Sequence, residues 1–209
     1  MDKKEIISNF FKDYNLNQED LNLIIQQAYF KKLPKDVNVL ADECLGFVIV
    51  LSGNFRAFIM SNTAKEITIF ELNKNDACMM CQDCVFEKIA YNIFIQSTQE
   101  CEILIIPKEL FTMLKDKYPK IYDYVLKLMA MRFNALVNIL EQALFTPLSV
   151  RLNEFLKAKA KNKIISLSHE EIALHLGSSR EVISRIIKTM QKEGFIQQNR
   201  KEIIILKDL

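Results

Sequence analysis

The chain has 209 residues, of which 50% are hydrophobic and 26% are charged, and this composition is typical of a globular protein rather than a disordered one. No uncharged apolar stretch approaches the roughly 18 residues that a membrane span needs, and the N-terminus lacks the apolar run of a signal peptide. We therefore expect a cytoplasmic protein with no membrane partner. The five cysteines indicate free thiols, metal ligands or redox groups rather than disulfide staples.

The small net charge of +2 is unevenly distributed along the chain. Residues 147–209 contain 12 Lys and Arg against 7 Asp and Glu, whereas residues 1–146 contain 16 against 19. A basic C-terminal segment on a slightly acidic body is a weak indication of a polyanionic partner.

The first two-thirds of the chain changes from a helical to a β-rich pattern. Residues 1–33 have the apolar spacing of helices. From about residue 34 to residue 107, short β-rich runs recur: FVIVLSGNFRAFIM, KEITIFEL, NIFIQS and CEILIIP. These runs predict a small antiparallel barrel or sandwich, and Gly53 lies where a hairpin turn would need it.

A single long helix is predicted between Pro119 and Pro147, because no proline or glycine interrupts this segment. Two sets of residues recur every seven positions along it: Ile121, Leu128 and Ala135, and Val125, Arg132 and Ile139. We predict that this helix pairs with its copy in a second chain through Ile121, Leu128, Ala135 and Ile139. A buried helix within a monomer is the alternative.

The segment HEEIALHLGSSREVISRIIKTMQKEGFI, residues 169–196, has residues that typically start and end two short helices. Ser168 and Glu171 have the spacing of a capping box, and Gly177 is suited to end the first helix. Ser178 and Glu181 repeat that spacing and predict the start of a second helix, which makes the pair a helix-turn-helix. The side chains expected to face inward are those of Ile172, Leu176, Val182, Ile186 and Ile187.

The opposite side of the second helix carries the groups that read DNA in a helix-turn-helix protein. Arg side chains donate to guanine, Glu accepts from the cytosine amino group, and Ser is small enough to lie near a thymine methyl. The predicted base-reading residues are Arg180, Glu181, Ser184 and Arg185. The chain ends in two β-runs around QNRK, a hairpin whose cations would meet phosphates. The predicted backbone contacts are Ser178, Lys188, Arg200 and Lys201. A solvated charged face on an ordinary helix pair is the alternative.

The segment LSHEEIALHLGSSREVISRIIKTMQKEGFI resembles the DNA-binding domain of the Crp/Fnr superfamily of bacterial transcription regulators. The resemblance extends over nearly the whole chain. It implies an α+β fold with an N-terminal β-roll of the cyclic-nucleotide-binding type over residues 1–118. It further implies a dimerisation helix over residues 119–145 and a C-terminal winged helix-turn-helix over residues 146–209.

The family also implies function. Its members are homodimers in which an effector in the β-roll reorients the DNA-binding domains, with double-stranded DNA and RNA polymerase as partners. Glu181, Ser184 and Arg185 stand in the pattern E-x-x-S-R of the branch that reads TTGA-type half-sites, although Arg180 blurs the outermost base preference. His169 and Ser179 fall where the family meets the DNA backbone.

The features that would hold cyclic AMP in this family are missing. The segment NDACMMCQDCVFEKIAYNIFIQ contains no Gly-Glu and no Arg-Ser pair, and no arginine occurs between Arg56 and Arg132. The adenine contacts of the family fall on the apolar residues Leu136 and Val137. Because a buried phosphate without a cation is costly, cyclic AMP is not the expected effector.

The segment that replaces the nucleotide site carries Cys78, Cys81 and Cys84 in C-x-x-C-x-x-C spacing. Three interpretations remain open: ligands of an iron–sulfur cluster, a thiol switch for oxygen, oxidants or nitric oxide, and apolar filling of the β-roll core. Two further interpretations remain open: haem bound through Cys, Met, Tyr or a terminal amine, and an aromatic or lipid-like ligand held near Leu136 and Val137. No catalytic constellation or nucleotide-binding fingerprint occurs, so an enzyme is not expected. The alternative function is a cysteine-ligated metal-binding or electron-transfer protein with a non-functional helix-turn-helix.

Overall fold

A computed structural model of the protein describes residues 2–39, 46–79, 93–199 and 202–207. These residues form the helices α1 (Lys3–Phe11), α2 (Gln18–Gln27), α3 (Lys108–Lys117), α4 (Pro119–Phe145), α5 (Leu148–Lys159), α6 (His169–Leu176) and α7 (Arg180–Lys192). Their strands are β1 (Tyr29–Leu33), β2 (Phe47–Ser52), β3 (Phe55–Met60), β4 (Glu66–Leu72), β5 (Ala77–Met79), β6 (Ile93–Ser97), β7 (Cys101–Ile106), β8 (Ile164–Ile165), β9 (Ile196–Gln198) and β10 (Ile203–Ile205).

The chain divides into two compact units, and neither of them is continuous in sequence. The first unit comprises Met1–Ala57 and Phe70–Ala135, and the second comprises Phe58–Ile69 and Leu136–Leu209. The tip of the β3–β4 hairpin therefore belongs to the second unit, and α4 contributes residues to both.

The strands up to residue 106 form two sheets, with the strand orders β1-β7-β2-β5 and β4-β3-β6. Every pairing of the four-stranded sheet is antiparallel. Gly53 joins β2 to β3 with φ +86°, and a Cβ atom there would lie 2.6 Å from the carbonyl oxygen of Glu100. Only glycine fits this turn without strain. The predicted α+β fold class, with a β-roll before the long helix, is confirmed.

The inner strand β2 is buried on both faces. Phe47 and Ile49 pack into a core with α1, α3 and α4, whereas Val48 and Val50 pack into a second core formed by the strands. This division follows from the alternation of side chains along a strand. The Phe47 ring stacks on Phe111 of α3 with the ring centroids 4.2 Å apart. The uninterrupted apolar run FVIVL thus contributes side chains to both cores.

The helix α4 extends over the predicted range, but its faces differ from the prediction. Ile121 and Leu128 are only 1% and 9% exposed, because they pack with Val125 into the core of their own chain. This corrects the predicted dimer seam at these two positions, since a buried residue cannot meet a second chain. Ala135 and Ile139 are half-buried. Among the described residues, no helix is long and apolar enough to cross a membrane, and this includes α4.

A polar cluster from distant parts of the chain lies just before the start of α4. The buried carboxylate of Asp20 on α2 pairs with the Lys117 ammonium at 2.6 Å and accepts a hydrogen bond from the Tyr118 hydroxyl. The backbone N–H of Asn17 donates to the same hydroxyl at 3.1 Å. The hydrogen bond from Lys117, followed by that from Tyr118, lowers the pKa of Asp20 below its ordinary value. The α2 helix is thereby attached to the junction between α3 and α4.

The second unit contains α5, α6, α7 and a three-stranded sheet of order β8-β10-β9. Its core is formed by the apolar faces of these elements, with Leu152, Ile172 and Ile187 fully buried. The β3–β4 hairpin tip adds to this unit, because Ile67 forms a β-bridge with Leu176 at the end of α6. The hairpin formed by β9 and β10, here called the wing, completes a winged helix-turn-helix.

Candidate nucleic-acid interface

The turn between α6 and α7 is built from local hydrogen bonds. The Ser168 hydroxyl accepts from the backbone N–H of Glu171 at 3.2 Å, and the Glu171 carboxylate accepts from the N–H of Ser168 at 2.7 Å. This capping box confirms the predicted start of α6. Gly177 ends the helix in the left-handed conformation with φ +68°, also as predicted.

The start of α7 differs from the prediction by one residue. Ser179, not Ser178, is the N-cap, and its hydroxyl accepts from the N–H of Val182. The N–H of Ser178 donates instead to the carbonyl of Ala173, so that Ser178 closes the preceding helix. Both serines are half-buried.

This shift changes which side chains of α7 face the core. Ile183 and Ile187 are fully buried, whereas Val182 is 38% exposed and Ile186 is half-buried. The inward assignment of Val182 is therefore wrong, and Ile183 takes its place. With Met190, the buried residues follow the spacing of three to four that a single helix face requires.

The outward side of α7 is charged. Arg180, Glu181, Arg185 and Lys188 are exposed, whereas Ser184 is half-buried. Hydrogen bonds from the backbone N–H of Glu181 itself and from the Ser179 hydroxyl lower the pKa of the Glu181 carboxyl. The first two turns of α7 thus present two guanidinium donors and one carboxylate acceptor, the groups that match guanine and cytosine edges in the major groove.

His169 holds three elements together. Its Nδ1 lies 2.8 Å from Oγ of Ser184 on α7, and its Nε2 lies 2.7 Å from the side-chain amide nitrogen of Gln198 on β9. Burial, followed by the charge of Arg180, lowers the pKa of His169. We predicted a DNA-backbone contact at His169 and did not predict any role for Gln198. Gln198 gave no signal in the sequence, because it stands among other polar residues and its partner lies 29 positions earlier.

A cavity of about 530 Å³ adjoins this interface, and His169, Arg180 and Gln198 all line it. Its wall includes Asn199 and Glu202 of the wing. The predicted phosphate contacts Arg200 and Lys201 lie outside the described residues.

The described cysteines of the sensor region are neutral core residues. Cys78 and Cys101 are buried free thiols, and both pack among the strands of the β-roll. Burial raises the pKa of the Cys78 thiol to about 11 and also raises that of Cys101. Cys81 and Cys84 lie outside the described residues. Within the described part of the chain, no group of three or more His, Cys, Asp and Glu side chains is placed to hold a metal ion.

Leu136 and Val137 are the other predicted sensor residues. They lie on α4 and are 38% and 42% exposed. Their side chains offer only apolar contact, as expected from the sequence.

Comparison with known proteins relates the whole chain to one group of regulators. Residues 150–209 match the family model described as the Crp-like helix-turn-helix domain. A protein of known structure from Eubacterium rectale, assigned to the Crp/Fnr family of transcriptional regulators, is 30% identical with a TM-score of 0.88 over 96% of this chain and 95% of that one. A search of curated protein sequences finds no match.

Two further solved structures share the fold at lower identity. The c-di-GMP-responsive global regulator CLP of Xanthomonas campestris is 16% identical, with a TM-score of 0.77 over 91% of this chain and 100% of that one. A variant of CooA from Carboxydothermus hydrogenoformans is 18% identical, with a TM-score of 0.68 over 96% of this chain and 91% of that one. Together with the identity over nearly the full length of the Eubacterium rectale protein, the β-roll, the long helix and the winged helix-turn-helix decide the assignment. The chain belongs to the Crp/Fnr family of transcription regulators.

Proposed function

We propose that this protein is a cytoplasmic homodimer that binds DNA sequence-specifically and regulates transcription together with RNA polymerase. The observation that carries the proposal is the start of α7, where Arg180, Glu181 and Arg185 are exposed opposite a fully buried face. A helix that follows a tight glycine turn and presents such groups from its first turns has the form of a recognition helix.

The chemistry of these groups supports a TTGA-type half-site. A guanidinium donates two hydrogen bonds to O6 and N7 of guanine, and a carboxylate accepts from the N4 amino group of cytosine. Glu181 is suited to this role because its carboxyl is exposed near the start of α7 and its pKa is lowered rather than raised. The specific assignment to TTGA depends on the E-x-x-S-R pattern formed by Glu181, Ser184 and Arg185.

We place the dimer contact on the exposed apolar face of α4 rather than on the face we predicted. Leu126, Phe133 and Leu140 recur every seven residues and are 45%, 66% and 59% exposed in the single chain. Leu144, one turn after Leu140, is 65% exposed. A row of this kind, repeated at the spacing of a coiled coil, suits pairing with a second copy across a twofold axis. Such a dimer would bind a palindrome with half-sites about one helical turn apart.

We propose an effector other than cyclic AMP, namely an oxygen-related, redox or nitrosative signal. The absence of arginine from residues 57–131 and the apolar character of Leu136 and Val137 support the exclusion of a nucleotide phosphate. A thiol with a pKa of about 11 is almost fully protonated at neutral pH, so Cys78 is a poor nucleophile. Within the C-x-x-C-x-x-C segment, we therefore do not place the reactive thiol at Cys78. An iron–sulfur cluster or haem remains the alternative means of sensing, and the proposed cluster ligands Cys81 and Cys84 lie outside the described residues.

DNA binding by fluorescence anisotropy tests the proposal. We expect wild type to bind a TTGA palindrome at least about 10³-fold more tightly than a permuted duplex at physiological salt. Glu181→Ala should reduce discrimination at one G·C pair by about 1–3 kcal/mol. Lys188→Ala should instead weaken binding to all sequences and flatten the salt dependence by about one unit of slope.

Gln191→Ala is the matched control, because Gln191 is exposed on the last turn of α7. Equal binding of all duplexes by wild type would contradict the proposal. A metal and sulfide assay on anaerobically purified protein then tests the metal-binding or electron-transfer alternative.

A further inference from the structure

Within the described residues, the half-buried Ser184 is the predicted base-reading residue whose side chain is held by a different helix and the wing. The ring of His169 lies behind it, with Nδ1 2.8 Å from Oγ. On its other side, the ring meets the amide nitrogen of Gln198 at 2.7 Å. The three side chains form one line of hydrogen bonds from the wing, through the start of α6, to the recognition helix α7.

The direction of the hydrogen bonds along this line follows from the groups themselves. The amide nitrogen of glutamine only donates, so Nε2 of His169 must accept. The ring proton then lies on Nδ1, because the hydrogen bond made by one ring nitrogen decides which of the two is protonated. Nδ1 donates to Oγ of Ser184. The hydroxyl hydrogen of Ser184 is consequently available for a different acceptor.

The surroundings keep the His169 ring neutral, which this arrangement requires. Burial and the positive charge of Arg180 lower its pKa, the hydrogen bond with Gln198 raises it by less, and the charge of Lys188 lowers it again, so that the net shift is downward. A neutral ring has one donor and one acceptor, and the two contacts of His169 use both.

We propose that His169 and Gln198 are positioning residues that fix the polarity of Ser184, so that its hydroxyl meets the DNA as a hydrogen-bond donor. This inference rests on the proposed function, in which α7 reads bases. The matching partner is an acceptor on a base edge in the major groove, such as O4 of thymine, O6 of guanine or a purine N7. The wing thereby influences base selection through a residue that does not touch a base.

Gln198→Leu removes the donor that holds Nε2 as an acceptor. The ring proton is then no longer fixed on Nδ1, and Ser184 can turn its hydroxyl hydrogen towards the ring instead of the DNA. Gln197→Leu is the matched control: Gln197 is exposed on the same strand, opposite Ile204, and the neighbouring Gln198 alone meets His169.

The first measurement needs no DNA. Two-bond ¹H–¹⁵N spectra report which ring nitrogen of a histidine is protonated, and the chain has only two histidines, so His175→Gln assigns the signals. We expect His169 to be protonated at Nδ1 in wild type and in Gln197→Leu, and to lose this preference in Gln198→Leu. A wild-type His169 protonated at Nε2 would overturn the proposal whether or not the protein binds DNA.

The second measurement uses a panel of duplexes in which each base pair of the half-site is replaced in turn. Ser184→Ala identifies the base pair that Ser184 reads. Gln198→Leu should reduce discrimination at that same pair roughly 2- to 10-fold, as expected for one hydrogen bond, and should have no further effect in the Ser184→Ala background. An equal loss on all duplexes would mean that Gln198 only supports binding, and this would overturn the proposal. If His169 is protonated at Nδ1 but wild type shows no sequence preference, the proposed function itself fails.

Discussion

The helices α4 and α7 both carry regularly spaced apolar residues in the sequence, but they differ in how many of their apolar faces are buried in the structure. In α7, charged and polar residues surround a narrow apolar stripe, so one face alone can be buried, and Ile183 and Ile187 occupy it. In α4, apolar residues lie on several faces: Leu128 is buried in its own chain, whereas Leu126 and Phe133 are exposed. Heptad spacing identifies the buried face of a helix only when the rest of its circumference is polar.

The two helices also differ in how they begin. The start of α7 is fixed by Ser179, three residues from the N–H that its hydroxyl accepts from. The start of α4 is marked by Pro119, and the preceding Tyr118 is anchored by Asp20, which lies 98 positions earlier. A local cap or proline is visible in a sequence, and a long-range anchor is not.

The largest effect is expected on the outer face of α4. Phe133→Glu combined with Leu140→Glu would bring like charges together across the proposed twofold axis. The dimer should weaken by several kcal/mol, or more than about 100-fold in dissociation constant, as measured by sedimentation. Lys127→Glu is the control, because Lys127 is exposed on α4 away from this row. A double variant that still dimerises through α4 would show that the row of Leu126, Phe133 and Leu140 is not the dimer contact.

The register of α7 can be tested by two adjacent substitutions. Ile183→Ala removes a fully buried side chain and should lower the free energy of unfolding by about 2–5 kcal/mol. Val182→Ala at a 38% exposed position should change it by about 0.5 kcal/mol or less. Chemical denaturation of both variants gives the comparison. The reverse order would restore the inward assignment of Val182.

The contribution of Asp20 to the free energy of unfolding should depend on pH. Asp20→Asn keeps the size of the side chain but loses the carboxylate, and we expect a loss of about 1–3 kcal/mol in the free energy of unfolding at pH 7. Because the pKa of Asp20 is lowered in the folded state, its contribution is present above the unfolded pKa of about 3.9 and is lost as the pH falls through the folded value.

The difference between wild type and Asp20→Asn should therefore shrink below about pH 4. Glu19→Gln, at the exposed neighbouring position, is the control. A difference that stays constant from pH 7 into this acid range would mean that the carboxylate charge does not stabilise the fold.

The smallest effect is expected at the cap of α7. Ser179→Ala should cost about 1 kcal/mol of stability, because it leaves the N–H of Val182 without its capping oxygen. Ser178→Ala should cost a few tenths of a kcal/mol, since Ser178 uses its backbone N–H rather than its hydroxyl to close α6. Thermal unfolding of the two variants distinguishes them, and equal losses would contradict the one-residue shift.

The parts of the fold that were predictable from sequence are those with local causes. The capping box at Ser168 and the left-handed Gly177 each involve residues within a few positions, and both were predicted. The choice between Ser178 and Ser179 was not, because both can cap a helix and only the packing of Ile183 separates them. The contact between His169 and Gln198 was also missed, because it depends on how the wing folds back onto α6.

The bridge between Ile67 and Leu176 has a consequence for the modularity of the protein. A Cβ atom on Gly177 would lie 3.2 Å from Cδ1 of Ile67, so the glycine turn of the helix-turn-helix and the β3–β4 hairpin tip are in close contact. Recombination at Pro147 would exchange the DNA-binding helices while leaving behind the hairpin tip that fits them. Grafting this domain onto another regulator therefore requires two transplanted segments, residues 58–69 as well as the C-terminal one.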